Sequence, residues 1–246
     1  MKNPVQIYDD LADAVDALSF SNPVACVYNP LRYAKNAMIQ YLERYDSAYK
    51  EAVFLGMNPG PWGMVQTGIP FGDVPMVRDW IGIDAPTAVP DIQHPKRPIE
   101  GFKCRRREVS GKRFWGLMQA IYGTPEVFFS NNIVLNYCPL AFMEAGGKNI
   151  TPDKLPIQER NALLTVCDNA LVELLSYYQP KYLIGIGNFA LKRLELICTD
   201  NLEISRKVEI CKIPHPSPAS PAANQDWAGQ TRNKLCEIGI TLPDGS

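Results

Sequence analysis

The chain has 246 residues, of which 46% are hydrophobic and 21% are charged, and its formal net charge is −1. This length and composition predict one soluble globular domain, and the near-neutral charge excludes a globally basic surface but not a local cationic patch. No apolar run approaches the roughly 20 residues of a membrane span, and the N-terminus lacks the pattern of a secretion signal. We therefore expect an intracellular protein without a membrane partner, cytoplasmic in a bacterium or nuclear in a eukaryote.

The seven cysteines and two histidines do not show the spacing of a metal site. The closest two cysteines, Cys198 and Cys211, are 13 residues apart (211 − 198 = 13), so the chain has no Cys-x-x-Cys motif. We therefore expect reduced thiols in the core, no bound metal and no cofactor.

Two amphipathic helices are predicted before the first strand. Apolar residues recur at helical spacing in 9–20, and Asn29 followed by Pro30 is a cap and first-turn signature for the second helix. We expect these N-terminal helices, within about 7–46, to pack on a single domain that spans 1–246.

Apolar runs predict four strands of a central sheet, with helical segments between them. The strands are predicted at 53–55, at 127–129 continuing through 133–135, at 182–187 and at 208–213. The helices are predicted at 77–83, from a cap at Ser110 to a stop at Gly123, at 155–178, at 188–198 and around 227–238. Strands separated by such helices imply a parallel sheet with helices on both faces, a three-layer α/β/α sandwich.

Three of the predicted strands end in a polar side chain. Asn58 follows the first strand, Asn136 the second and His215 the fourth. The carboxyl ends of parallel strands meet at one edge, where open α/β sheets bind ligands, so these side chains can converge on one crevice. Phe71 lies at the far side of the first loop. Two amides, one imidazole and a ring suit a planar, uncharged heterocycle better than a metal or a covalent intermediate.

Cations crowd the segment 96–113, which contains few acids. A solvated loop and an edge that faces phosphates explain this pattern equally well. The cations are Lys96, Arg97, Lys103, Arg105, Arg106, Arg107, Lys112 and Arg113.

A dinucleotide-binding fingerprint, G-x-G-x-x-A, begins at Gly185 and continues through Gly187. A Rossmann unit normally uses its first strand, with an acid roughly 20 residues on, whereas this is the third of four strands. Neither Glu203 nor Glu209 clearly ends a following strand, and close helix-to-strand packing also explains the glycines. An NAD(P)-binding oxidoreductase remains the enzyme alternative. A non-catalytic single-strand DNA binder is a third hypothesis, although such proteins use several aromatic residues along a groove.

Seven strings of the chain form a set of motifs in a fixed order. They are GMNPGPWGMVQTGIPFGDV, VRDWIGI, HPKRPIEG, EVSGKRFWG, PEVFF, LNYCPL and HPSPASPAAN. In this order they resemble the motifs of the single-strand-selective monofunctional uracil-DNA glycosylases, and they cover about 50–238. The resemblance implies the uracil-DNA glycosylase fold and a monomeric enzyme of base-excision repair. Such an enzyme hydrolyses the N-glycosidic bond of uracil, in single- and double-stranded DNA, and leaves an abasic site.

The resemblance also implies roles for the residues at the strand ends. It makes Asn58 the residue that positions the attacking water and His215 the catalytic histidine. Asn136 corresponds to the asparagine that reads the base, and Phe71 to the ring that stacks on uracil.

The loop after the first strand is implied to bind the base. Met57 and Met64 lie where the backbone contacts the base in that family. Gly60 stands where the better-known uracil glycosylases have a tyrosine whose ring blocks a 5-substituent. The resemblance therefore implies that 5-hydroxymethyluracil is accepted as well as uracil.

Further residues are implied to contact DNA, namely Lys112, Arg113, Ser217, Pro218, Ala219, Ser220 and Asn224. The chain departs from vertebrate members of the family at Trp62, Leu135 and Ala219, where those members have phenylalanine, histidine and arginine. The last departure lies in the loop that wedges into duplex DNA. We therefore expect a preference for single-stranded uracil.

Overall fold

The computed structural model describes residues 1–240 and 242–243. Its strands are β1 (Val24–Tyr28), β2 (Ala52–Gly56), β3 (Asn132–Asn136), β4 (Ala141–Glu144), β5 (Asn149–Ile150), β6 (Tyr182–Ile186) and β7 (Glu209–Ile213). Its α-helices are α1 (Pro4–Asp16), α2 (Pro30–Tyr33), α3 (Lys35–Arg44), α4 (Met64–Thr67), α5 (Val109–Tyr122), α6 (Pro125–Asn131), α7 (Ile157–Tyr178), α8 (Asn188–Asp200), α9 (Leu202–Ser205) and α10 (Trp227–Glu237). A π-helix covers Met76–Ile81, and short 3-10 helices cover Gly101–Lys103, Pro152–Lys154 and Pro221–Asn224.

The predicted parallel sheet is present, in the spatial order β3-β2-β6-β7. Leu55 of β2 pairs with Gly185 of β6, so these two residues point to one face of the sheet and Phe54 points to the other. The Phe54 ring packs against Phe114 of α5. Gly185, on the opposite face, lies against Leu191 of α8. Helices therefore cover both faces, and the predicted three-layer α/β/α architecture is confirmed.

β3 lies at one edge of this sheet, where its outer backbone groups have no neighbouring strand. The Tyr41 hydroxyl on α3 donates a hydrogen bond to the Val134 carbonyl oxygen over 2.9 Å and accepts one from the Val134 N–H over 3.2 Å. One buried side chain thus satisfies both backbone groups at the middle of the strand. Helix α3 thereby covers an edge that would otherwise be open to pairing with another chain.

The first helix begins earlier than the sequence predicts. The Asn3 side chain accepts a hydrogen bond from the Gln6 N–H, and the Gln6 side chain accepts one from the Asn3 N–H, which forms a capping box. This cap places the helix at Pro4–Asp16, which corrects the predicted 9–20. Its buried residues belong to the same hydrophobic core as those of α3, β2 and α7.

The run Val127-Phe128-Phe129 is helical, which corrects the prediction that it begins the second strand. Thr124 accepts a hydrogen bond from the Val127 N–H, and Pro125 occupies the first turn, so helix-starting signals precede the run. Phe128 packs edge-on to Trp115 of α5. The strand itself starts only at Asn132.

A small antiparallel sheet, with the order β1-β4-β5, was not predicted from the sequence. Asn149 on β5 accepts a hydrogen bond from the Phe142 N–H over 3.3 Å and donates one to the Pro59 carbonyl oxygen over 3.0 Å. The small sheet therefore braces the loop that follows β2.

The cysteines are free thiols, and all of them are buried as predicted except Cys236, which is exposed. Among residues 1–240 and 242–243, no three side chains of the metal-ligating types cluster as a site. None of the helices in this part of the chain has the length and apolar character needed to cross a bilayer.

We predict that Gly185→Ala destabilises the protein. A Cβ at Gly185 would lie 2.6 Å from the Leu191 nitrogen, so α8 must move away from β6. Such overpacking typically costs about 1–3 kcal/mol, which urea-unfolding curves will measure. The matched control is Gly116→Ala in α5, where nothing lies within 4 Å of the added methyl group. Equal stability of the two variants would show that the approach of α8 does not require the glycine.

Candidate active site

The pairing of β2 and β3 continues beyond the last residues of both strands. The Tyr137 N–H donates to the Gly56 carbonyl oxygen over 3.0 Å, and the Cys138 N–H donates to the Met57 carbonyl oxygen over 2.9 Å. The Asn58 Nδ2 then donates to the Leu140 carbonyl oxygen over 3.3 Å. These bonds hold Asn58 beside the end of β3 and leave its Oδ1 as an acceptor.

A cavity of about 350 Å³ lies at the carboxyl ends of these strands. Its volume falls within the roughly 300–1,000 Å³ that is usual for small-molecule sites. It brings together the predicted residues Met57, Asn58, Gly60, Met64, Phe71, Asn136, His215 and Ser217. Its lining is completed by Glu108, Ser110, Asn149 and Thr151, which the sequence analysis did not assign to a site.

Phe71 forms one wall of the cavity. Its ring stacks on Phe114, with the centroids 5.0 Å apart and the planes at 21°. Its φ of 54° lies in the left-handed region, which is uncommon for a non-glycine residue and is often kept at functional sites. A Cβ at Gly56 would lie 2.8 Å from this ring and would overlap the Asn136 Oδ1, so β2 must end in glycine.

Asn136 presents both a donor and an acceptor to the cavity. The residue is only 7% exposed, and its Nδ2 donates to the Met64 sulfur over 3.1 Å. A thioether is a weak acceptor, so a carbonyl oxygen on a ligand can replace it with a gain in hydrogen-bond strength. The Oδ1, beside Gly56, remains able to accept from a ligand N–H.

His215 is fixed in one tautomer. Its Nδ1 accepts a hydrogen bond from the Ser217 N–H over 3.1 Å, so the ring proton lies on Nε2. Burial lowers the pKa of this imidazole to about 4. At neutral pH His215 is therefore an uncharged donor in the cavity.

His94 adopts the same local geometry without a role in the cavity. Its Nδ1 accepts from the Lys96 N–H over 3.1 Å, as the His215 Nδ1 accepts from the residue two positions on. The His94 Nε2, however, lies 3.2 Å from the Ala145 carbonyl oxygen, which occupies its donor. His94 is thus a buried structural histidine.

Glu108 is the one ionisable group among the four lining residues that were not predicted from the sequence. Helix α5 begins at Val109, so Glu108 is its N-cap residue, and the predicted cap at Ser110 is wrong. Burial raises the pKa of the Glu108 carboxyl group, and the nearby backbone N–H groups of Ser110 and Trp62 offset this only in part. In the sequence, Glu108 is an acid within a basic segment and the first residue of the string EVSGKRFWG, and neither feature assigns it a role.

Most of the predicted DNA-contact residues are accessible to solvent, and Ser217 lines the cavity. Lys112, Pro218, Ala219 and Asn224 are exposed, and Ser217 and Ser220 are partly buried. One guanidinium nitrogen of Arg113 donates to the carbonyl oxygens of Pro216 and Ala223, over 3.1 and 3.2 Å. Arg113 therefore holds the loop after His215 in place, and its contact with DNA stays a prediction.

Some cations of the basic segment 96–113 contact other side chains of the protein, and others are exposed. Arg107 forms a bidentate ion pair with the fully buried Asp73, and Arg97 and Arg106 lie over the Trp62 ring at 5.0 and 4.6 Å. These arginines contribute to folding. The exposed cations Lys96, Lys103, Arg105 and Lys112 are free to face phosphates.

The two glycines of the Gly185-x-Gly187 fingerprint allow close packing of α8 and leave space for His215. Gly185 permits the close approach of α8, as described above. Gly187 has a φ of 88°, and a Cβ there would lie 3.3 Å from the His215 Cβ. Both glycines thus have structural roles, and the dinucleotide interpretation loses its main support.

The cavity thus brings together an aromatic ring, amide side chains and a neutral imidazole at the carboxyl ends of the parallel strands. Comparison with known proteins identifies the family. The model of the Uracil DNA glycosylase superfamily matches residues 43–236, so the chain belongs to this family.

The chain is also similar to individual members. The single-strand selective monofunctional uracil DNA glycosylase of Mus musculus is 42% identical over 223 residues, which are 91% of this chain and 79% of that protein. The Bos taurus protein of the same name is 43% identical over 230 residues, with 94% and 84% covered. The crystal structure of wild-type Pedobacter heparinus SMUG2 shares the fold, with a TM-score of 0.63 at 19% identity, over 96% of this chain and 99% of that one. The predicted family and the enzyme class, a glycosylase that hydrolyses an N-glycosyl bond, are confirmed, and an oxidoreductase is not supported.

We predict that His215 is neutral, with its proton on Nε2, at pH 6. Heteronuclear NMR of the imidazole nitrogens will test this, because the chain has only two histidines and His94→Gln assigns them. The expected midpoint is near pH 4. Since the unfolded chain takes up this proton below about pH 6.5 and the folded protein does not, stability should fall as the pH falls through this window. A charged His215 at pH 6 would contradict the proposed donor.

Proposed function

We propose that this protein removes uracil from single-stranded DNA by hydrolysis of its N-glycosidic bond and leaves an abasic site. The observation that carries the proposal is a single cavity that contains the Phe71 ring, the Asn136 amide and the neutral His215 donor. A flipped base stacks on the ring while its polar edge meets the other two side chains.

The proposed reaction passes through a dissociative transition state. As the bond to the sugar breaks, negative charge develops on uracil O2 and positive charge on the sugar. The His215 Nε2–H donates to O2, and this interaction strengthens as the charge grows, which lowers the barrier. Because the imidazole is neutral, it contributes a hydrogen bond without adding a buried cation beside the cationic sugar.

Asn58 holds the attacking water in this mechanism. Its Nδ2 is engaged by the Leu140 carbonyl oxygen, so its Oδ1 is directed to accept a hydrogen bond from the water. An amide cannot act as a strong base, but a sugar cation is electrophilic enough to react with an oriented water molecule. No amine nucleophile takes part, and the product is therefore a free base and an abasic site.

Asn136 selects the base. Its amide donates to uracil O4 and accepts from N3–H, whereas cytosine presents a donor and an acceptor in the opposite positions. A site built on such bonds can discriminate by roughly 10⁴ to 10⁵ because the wrong base leaves buried polar groups unpaired.

We expect the protein to convert a uracil-containing single-stranded oligonucleotide into an alkali-labile product. Asn136→Ala should lower kcat/KM by about 10³-fold or more, since it removes both hydrogen bonds that read the base. Asn161→Ala, at an exposed asparagine of α7, is the matched control and should leave the rate unchanged. An Asn136→Ala variant within tenfold of the wild type would remove this residue from the site.

The same assay distinguishes the other hypotheses. A DNA-binding protein without catalysis yields no alkali-labile product, and an oxidoreductase binds NAD(P) instead. We expect the same rate with and without EDTA, because the proposed site uses amides, an imidazole and a ring. Loss of activity in EDTA that a divalent ion restores would overturn the mechanism.

We also propose that the loop 219–224 limits activity on duplex DNA. Extruding a paired base costs a few kcal/mol of stacking and pairing, which enzymes offset by filling the vacated space with a side chain. Ala219 is exposed but too short to fill it. Its N–H donates to the Ser217 Oγ over 3.2 Å, so the loop backbone is already held close to the site.

Ala219→Arg should therefore raise activity on a U:A pair relative to single-stranded uracil by about tenfold, equivalent to about 1.4 kcal/mol. A planar guanidinium can enter the stack, whereas the point charge of a lysine cannot, so Ala219→Lys is the control that adds charge alone. The measurement is kcat/KM on matched single-stranded and duplex substrates. If the ratio does not change with arginine, the wedge lies elsewhere in the loop.

A further inference from the structure

Glu108 is an ionisable side chain in the cavity that the proposed mechanism does not use. A Cβ at Gly60 would lie 2.5 Å from the Glu108 Oε2, so the carboxylate occupies the space above this glycine. The Glu108 backbone is fixed, because its N–H donates to the buried Asp73 Oδ1 over 2.9 Å and its carbonyl oxygen accepts from the Lys112 N–H over 2.8 Å. The carboxylate is thus held in the wall beside the loop that follows β2.

The order of atoms around the uracil ring determines which part of the base lies against this wall. Around a uracil ring, O2, N3, O4 and C5 follow one another. If O2 lies at His215, and N3 and O4 lie at Asn136, then C5 is the next ring atom. It lies on the side of Asn136 that is away from His215. The Asn136 amide contacts Met64, which begins the helix that follows Gly60, and Glu108 covers Gly60. The proposed orientation of the base therefore turns C5 toward the Glu108 carboxylate.

We propose that Glu108 determines which 5-substituent the site accepts, by taking a hydrogen bond from the hydroxyl of 5-hydroxymethyluracil and by disfavouring the methyl group of thymine. This inference rests on the proposed uracil excision and adds a residue that reads the C5 side of the base. In this arrangement Gly60 provides the space in which the carboxylate and the substituent meet.

The chemistry of a carboxylate explains both preferences. An ionised carboxylate only accepts hydrogen bonds, and bonds to a charged acceptor are stronger than those between neutral groups. A hydroxymethyl group supplies the required donor. A methyl group lacks the oxygen atom and therefore the donor, so it removes water from the carboxylate without replacing the lost hydrogen bond.

The experiment compares kcat/KM on single-stranded oligonucleotides that carry uracil, 5-hydroxymethyluracil or thymine. In Glu108→Leu, activity on 5-hydroxymethyluracil relative to uracil should fall by roughly 10- to 100-fold, and activity on thymine relative to uracil should rise. Glu108→Gln keeps an acceptor oxygen and should lie between this variant and the wild type. Glu126→Gln, at an exposed acid in the first turn of α6, is the control for a general helix-terminus effect and should change neither ratio.

Each result supports or overturns the inference. A parallel fall on all three bases in both Glu108 variants shows that the residue only supports α5, and it overturns the proposal. A wild-type protein that removes uracil but not 5-hydroxymethyluracil also overturns it, while uracil excision stands. A wild-type protein that removes neither base overturns the proposed function itself. Circular dichroism of every variant, with Glu108→Gln as the smaller change, separates these outcomes from loss of folding.

Discussion

The site depends on the hydrogen-bonded register of β2 and β3, which continues past the end of both strands. The bonds from Tyr137 to Gly56 and from Cys138 to Met57 hold the segments after the two strands side by side. They fix Asn58, in the loop after β2, beside Asn136, the last residue of β3. His215 arrives from β7, which β6 separates from β2. It can reach the cavity because Gly187, the residue after β6, has no side chain; a Cβ there would lie 3.3 Å from the His215 Cβ.

Burial, as well as residue type, affects the charge state of the side chains in the cavity. Burial lowers the pKa of His215 to about 4, so this imidazole is an uncharged donor at neutral pH, and burial raises the pKa of the Glu108 carboxyl group in the cavity wall. The described residues that line the cavity include no lysine or arginine. In the segment 96–113, Arg107 is paired with Asp73, and Lys96, Lys103 and Lys112 are exposed. This separation suits a substrate whose base is neutral and whose backbone is anionic.

Much of this arrangement could be predicted because the strands are short apolar runs and three of the four lead into a polar residue next to a turn. The errors have physical reasons. Phe128 and Phe129 belong to an apolar run whose length suits either a strand or a helix, and the signal that decides, Thr124 followed by Pro125, precedes it. Glu108 was missed because its place beside Gly60 results from tertiary packing of α5 against the β2 loop, and no local pattern encodes that contact.

The most direct test of the account is a crystal structure of the protein with single-stranded DNA that contains 2′-fluoro-deoxyuridine, whose fluorine slows formation of the sugar cation. We expect the uracil ring on Phe71, with O2 within hydrogen-bond distance of the His215 Nε2 and with N3 and O4 on the Asn136 amide. A base that remains outside the cavity, or one that turns O2 away from His215, would contradict the central claim that these strand ends together form the uracil site.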